Sequence, residues 1–176
     1  MKKLLYSFIT LIATFGLLIL SLELFSSYTP STNIHSDAPV QTFRSIVIHA
    51  SPEKVWTLLS DVNHWDKWQS DIKSPRLTSS FQPGHSFTWE SGGLHIRSDI
   101  HTAVPFSKIG WSGPAFGSFA IHIWTFTPLP DGSTKVDVKE SMEGWLIKLM
   151  SHKFQKGLDD SLDKWLMALK TASEKN

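Results

Sequence analysis

The sequence predicts an α+β fold, a curved antiparallel sheet around a long last helix, behind a separate apolar N-terminal helix. Three observations predict it. A short β-branched run is followed at once by a helix start at Ser51-Pro52-Glu53. Strand-like runs over 85–91, 94–104, 106–112, 118–127 and 133–142 are separated by turn-forming pairs. The chain then closes on apolar residues recurring at helical spacing.

The N-terminus carries Lys2 and Lys3 and then no charge until Glu23. As a helix, the run Leu4–Leu22 is about 28 Å long, close to the thickness of a bilayer core. Secretory signals have shorter apolar regions and end at small residues. Here bulky Phe25 precedes Ser26 and Ser27. Residues 1–25 therefore predict a membrane anchor, with a cleaved signal and a secreted product as the alternative. The leading lysines predict the N-terminus inside the cytoplasmic membrane and the rest outside, as a single-pass protein. Residues 26–42, rich in Ser, Thr and Pro, predict a flexible linker in which His35 is a solvated loop residue.

Residues 43–176 predict one domain. "FRSIVIHA" is its first strand. Ser51 caps the following helix, Pro52 takes the first helical position, and Glu53 sits at the positive end of the dipole. Val55, Leu58, Leu59 and Val62 recur at helical spacing. Asp61 or Asn63 is expected to cap a second short helix carrying Trp65 and Trp68. Turns are expected at Pro83-Gly84, Gly92-Gly93, Gly113-Pro114 and Asp131-Gly132. The hairpin meander gives about six to seven strands in one sheet. Leu146, Met150, Phe154, Leu158, Leu162, Leu166 and Leu169 then mark one face of a single long amphipathic helix.

Composition narrows function. Lys+Arg 17 against Asp+Glu 16 leaves a net charge of +1, which gives no electrostatic footprint for nucleic acid. There is no cysteine, so disulfides, zinc–thiolate sites and thiol nucleophiles are excluded. The histidines lack compact ligand spacing, and no metal site or cofactor is expected. The glycines of "SGGLH" and "SGPAFG" lie between strands and form no phosphate loop. No G-x-S-x-G elbow is present. The 8 tryptophans suit either a core or an apolar cavity.

The domain resembles the START-like or SRPBCC superfamily, the helix-grip fold of polyketide cyclase/dehydrase-like and lipid-transfer proteins. The marks are "I-x-A-S-P-E-K-V-W-x-L-L-x-D" at 48–61, "W-D-K-W" at 65–68, "P-D-G-S-T-K-V" at 130–136, "E-S-M-E-G" at 140–144 and "L-x-x-L-K-x-x-S-E" at 166–174. The resemblance covers essentially all of 43–176. The superfamily supports many activities, so the resemblance points to fold rather than function.

The resemblance implies a cavity between sheet and last helix. Strand alternation nominates its lining. Val136, Val138, Glu140 and Met142 share one face of their strand, opposite Asp137, Lys139, Ser141 and Glu143. His122 shares a face with Ala120, Trp124 and Phe126. The opposite face, Phe119, Ile121 and Ile123, is also apolar. The bulk of Trp124 and Phe126, with the matching strand of the resembled fold, assigns the His122 face inward. Phe87 with Trp89, and Ile109 with Trp111, complete the set. Arg97, Asp99 and His101 read as a solvated sheet face. Trp56 is expected to flank the core; Trp65 and Trp68 stand at the cavity's end, as core lid or as mouth.

Three function classes follow. The first is a membrane-tethered binding module for a small hydrophobic molecule or lipid, with Trp65, Trp68, Phe87, Trp89, Trp111, His122, Trp124, Phe126 and Glu140 as ligand contacts. The second is a cyclase- or hydrolase-like enzyme using Glu140 and His122 as an acid–base pair. The third is a protein-interaction domain resembling chaperone-ATPase activators. A structural pairing of Glu140 with His122 is compatible with any of them.

Overall fold

The computed structural model describes residues 2–175. Helix α1 (Lys2–Leu24) has no buried residue and is long and apolar enough to cross a membrane. Strand β1 (Val40–Ile48) leads into helix α2 (Pro52–Ser60). The Ser51 hydroxyl accepts from the Lys54 amide, and α2 buries Val55 and Leu59. The second short helix is a 3₁₀ helix, Val62–Lys67. Asp61 stands at its N-cap position without a capping side-chain bond and pairs with His64 instead. Asn63 brackets Leu77, accepting from its amide at 2.8 Å and donating to its carbonyl at 3.0 Å.

The strands that follow are β2 (Lys73–Leu77), β3 (Ser86–Ser91), β4 (Leu94–Val104), β5 (Lys108–Ala115), β6 (Ser118–Pro128) and β7 (Thr134–Glu143). They form one seven-stranded sheet in the order β1-β7-β6-β5-β4-β3-β2, and every neighbouring pair is antiparallel. This is the helix-grip architecture predicted from sequence.

One strand was missed and three local expectations are corrected. The run Lys73–Leu77 is an edge strand, hidden in the sequence by Pro75 and by a bulge between Lys73 and Arg76. Gly113 and Pro114 lie inside β5, and the turn falls later, at Phe116-Gly117. Gly113 serves close approach: a Cβ there would collide with the Arg97 carbonyl on β4. The last helix is two helices, α3 (Trp145–Leu149) and α4 (Ser151–Ser173), broken at Met150 with φ −128° and ψ 35°. His101 is the extra residue at a bulge in β4 and is half-buried rather than solvated. That burial pushes its imidazole below the usual histidine range.

The segment expected to be a free linker is laid on the sheet. Residues 40–42 belong to β1. Tyr28 stacks on Phe119 at 5.2 Å and 8°. Ile34 packs on the cluster Phe119, Ile121 and Ile123. His35 reaches Glu143 at 3.2 Å, and its amide donates to the Ser141 hydroxyl. The reason is the second apolar face of β6, which needs cover from water.

The main core lies between the other sheet face and α4. Its centre is Trp65, fully buried, with Phe87, Trp89, Trp111 and Trp165 packed around it at centroid distances of 5.2–6.1 Å. The Trp65 indole N–H donates to the Leu59 carbonyl at 2.9 Å, so its polar atom is satisfied. Arg44 ties β1 to α4 through Asp159 and Asp163, each at 3.0 Å.

Candidate functional site

Cross-strand pairing places one row of side chains along the inner face. Ile100, Trp111, His122, Glu140 and Thr42 are successive partners on β4, β5, β6, β7 and β1. His122 Nδ1 stands 2.8 Å from a Glu140 carboxylate oxygen. Glu140 is buried and His122 nearly so. A buried carboxylate needs such a partner. The Trp111 ring stacks on the His122 ring at 5.0 Å and 22°. Beyond Glu140, the Thr42 hydroxyl donates to Asp159 on α4 at 2.6 Å and accepts from Gln155 at 2.8 Å.

A cavity of about 600 Å³ opens between this face and α3–α4. Its walls are mainly apolar, from Ile96, Phe116, Met142, Leu146, Met150 and Phe154. His122 and Glu140 also line it. They face as well onto a smaller recess of about 70 Å³, enclosed by Trp89, Trp111, Trp124 and Trp165. Among the described residues, the indole N–H groups of Trp111 and Trp124 are buried without a hydrogen-bond partner. The arrangement can therefore hold an apolar body, with a carboxyl–imidazole pair and unused indole donors at its inner end.

A family described as polyketide cyclase / dehydrase and lipid transport matches residues 39–174. The chain belongs to this family.

Solved structures with the same fold include a hypothetical protein from Helicobacter pylori. It matches with a TM-score of 0.71 and 16% identity, over 84% of this chain and 100% of that one. A START superfamily protein from Mycobacterium smegmatis matches with a TM-score of 0.67 and 15% identity, over 76% and 97%. The di-domain ARO/CYC StfQ from the steffimycin biosynthetic pathway matches with a TM-score of 0.63 and 17% identity, over 76% of this chain and 44% of that one. No curated protein matches the sequence.

Within this polyketide cyclase / dehydrase and lipid transport family member, the residues nominated from sequence divide into two groups. Trp89, Trp111, Trp124, His122 and Glu140 meet at the cavity and its recess. Trp65, Phe87 and Phe126 are each no more than 2% exposed and belong to the packed core. Trp68 packs edge-on against Trp165 beside that core, at 5.5 Å and 81°. The sequence reading missed Trp165, Thr42 and Asp159. Trp165 had a signal: Leu158, Leu162, Trp165 and Leu169 follow helical spacing. Thr42 and Asp159 had none, because their meeting depends on how α4 crosses β1.

Proposed function

We propose that this chain is a membrane-tethered binding module for a small hydrophobic molecule or lipid, held between the sheet and α4. The observation that carries the proposal is the apolar cavity of about 600 Å³ with His122 and Glu140 at its inner end. That volume lies within the range of small-molecule sites, roughly 300–1,000 Å³. The family's description names lipid transport among its roles. In this proposal residues 1–25 are the anchor, and the domain that follows stands on the outer side of the cytoplasmic membrane. Lys2 and Lys3 ahead of the apolar helix support that orientation.

The test is titration of the detergent-solubilised full chain with fatty acids, quinones and polyketide-like aromatics. Trp89, Trp111 and Trp124 line the site, so at least one class should change tryptophan emission saturably. Native mass spectrometry of the extracted protein should carry the same class of molecule. A flat response across the panel, with no co-purifying ligand, overturns binding. Fractionation of cells making a C-terminally tagged chain tests the anchor. A soluble product lacking the first two dozen or so residues would indicate a cleaved signal instead.

A second reading, a cyclase- or hydrolase-type enzyme, draws on the 2.8 Å approach of His122 to Glu140 at the cavity wall. Appearance of a cyclised or hydrolysed product during the same titration would favour it over binding alone.

A further inference from the structure

The end of α1 and the mouth of the cavity meet at Glu23. One carboxylate oxygen of Glu23 accepts from the Gly117 backbone N–H and from the Trp145 indole N–H, both at 3.0 Å. Gly117 directly follows the rim residue Phe116, and Trp145 directly precedes the rim residue Leu146. The helix end is thus joined to the β5–β6 turn and to the start of α3, in each case one residue from a side chain that lines the cavity. There is little slack in the joint. Gly117 has φ 65°, and a Cβ there would collide with Leu146 and Trp145. The Phe116 ring meets the Trp145 ring edge-on at 5.5 Å.

Around this joint the surface is apolar. Phe116 is 48% exposed, Leu149 74% and Met150 38%, and Phe25 just beyond α1 is 87% exposed. Lys148, His152 and Lys153 are exposed beside them. Large apolar side chains flanked by long basic ones suit the boundary between lipid headgroups and acyl chains.

We infer that this end of the domain is seated in the membrane surface, so that the cavity opens toward the acyl region and takes its ligand from the bilayer. The inference rests on the anchor reading of α1. The occupant of the apolar rim is the bilayer because Gly117 and Trp145, next in sequence to the rim residues, are hydrogen-bonded to the end of the segment that crosses it. A rim one residue from those bonds has no room to stand off in water. The carboxylate, in turn, sits at the boundary with both donors supplied by the domain.

The chain has no cysteine, so single cysteines carry a site-specific environment-sensitive fluorophore. Full-length Phe116→Cys, Leu149→Cys and Pro130→Cys are labelled and reconstituted in phosphatidylcholine–phosphatidylglycerol vesicles. Pro130 follows β6 at the far end of the sheet from the joint. With nitroxide-labelled lipid present, probes at 116 and 149 should lose emission, and the probe at 130 should keep it. Adding Glu23→Ala should reduce the loss at 116. Glu23→Gln, which keeps an acceptor oxygen, should preserve it. Vesicle flotation is measured on the same samples. Chain that floats while 116 and 149 remain unquenched overturns the seating and leaves the anchor standing. Quenching at 116 that ignores Glu23→Ala overturns the role of the joint. Chain that does not float overturns the anchor, and the inference with it.

Discussion

His122 and Glu140 are direct cross-strand partners on β6 and β7, with Nδ1 and a carboxylate oxygen 2.8 Å apart at the wall of an apolar cavity. Position, burial and pairing come from one fact, the antiparallel register. Both side chains fall on the inner face, and neither reaches bulk water easily. Glu140→Gln should therefore weaken ligand binding per folded molecule more than it weakens folding. Thermal melts with and without ligand measure both. A stability loss of about 1–3 kcal/mol with unchanged affinity would mark the pair as structural only.

Asp159 makes a pH prediction. The Thr42 hydroxyl beside it, and then the Arg44 guanidinium, hold its carboxyl below the usual aspartate range. Its stabilising contribution is therefore complete above the unfolded aspartate value, about pH 4. It is lost as pH falls through the lowered folded value. Thr42→Val should cost about 1 kcal/mol at neutral pH. Denaturant melts down a pH series should show wild type and variant converging as Asp159 protonates. A gap that stays constant into acid would mean that Thr42 acts without Asp159.

Two glycines should respond to alanine with opposite signs. At Gly113 the added methyl meets the Arg97 carbonyl of the neighbouring strand, and backbone cannot swing away. Urea unfolding of Gly113→Ala should show a loss of about 1–3 kcal/mol or more. Gly157 lies within α4 with no atom near the position of a Cβ. Gly157→Ala should raise stability by roughly 0.5–1 kcal/mol.

Trp65 and Trp68 should separate sharply. Trp65 is fully buried against four aromatic rings and donates to the Leu59 carbonyl. Trp65→Ala should cost about 3–5 kcal/mol, the usual loss for a buried aromatic. Trp68 is only partly buried, so Trp68→Ala should cost clearly less. Equal losses in equilibrium unfolding would contradict the separate places given to the two rings.

Much of the fold was legible because its signals are local. Alternation along 133–142 puts Glu140 with Val136 and Val138, and turn pairs such as Asp131-Gly132 mark hairpins without any knowledge of neighbours. What stayed hidden depends on contacts distant in sequence. Gly113-Pro114 reads as a turn until β4 is placed beside it. Helical periodicity runs through Met150 although the backbone breaks there. The two apolar faces of β6 look ambiguous, because one is covered by Tyr28 and Ile34 from a segment that looks like tether. Trp65 and Trp89 share a composition signal, yet only packing shows that Trp89 lines the cavity as well as the core while Trp65 does not. The Thr42–Asp159 bond joins residues 117 positions apart, beyond any local pattern.

The strand order has a consequence for how the chain comes to be folded. β1 and β2 follow each other in sequence but occupy opposite edges of the sheet. Among the described residues β1 pairs only with β7, from Val40 against Met142 to Ile48 against Thr134. A ribosome delivers β1 long before β7 exists. During synthesis the meander from β2 to β6 can zip hairpin by hairpin, whereas β1 must wait as an unpaired edge. Its docking closes a loop of nearly the whole domain, the slowest kind of closure. The first strand to emerge is thus the last to be paired, and it waits beside the membrane if α1 has already been inserted there.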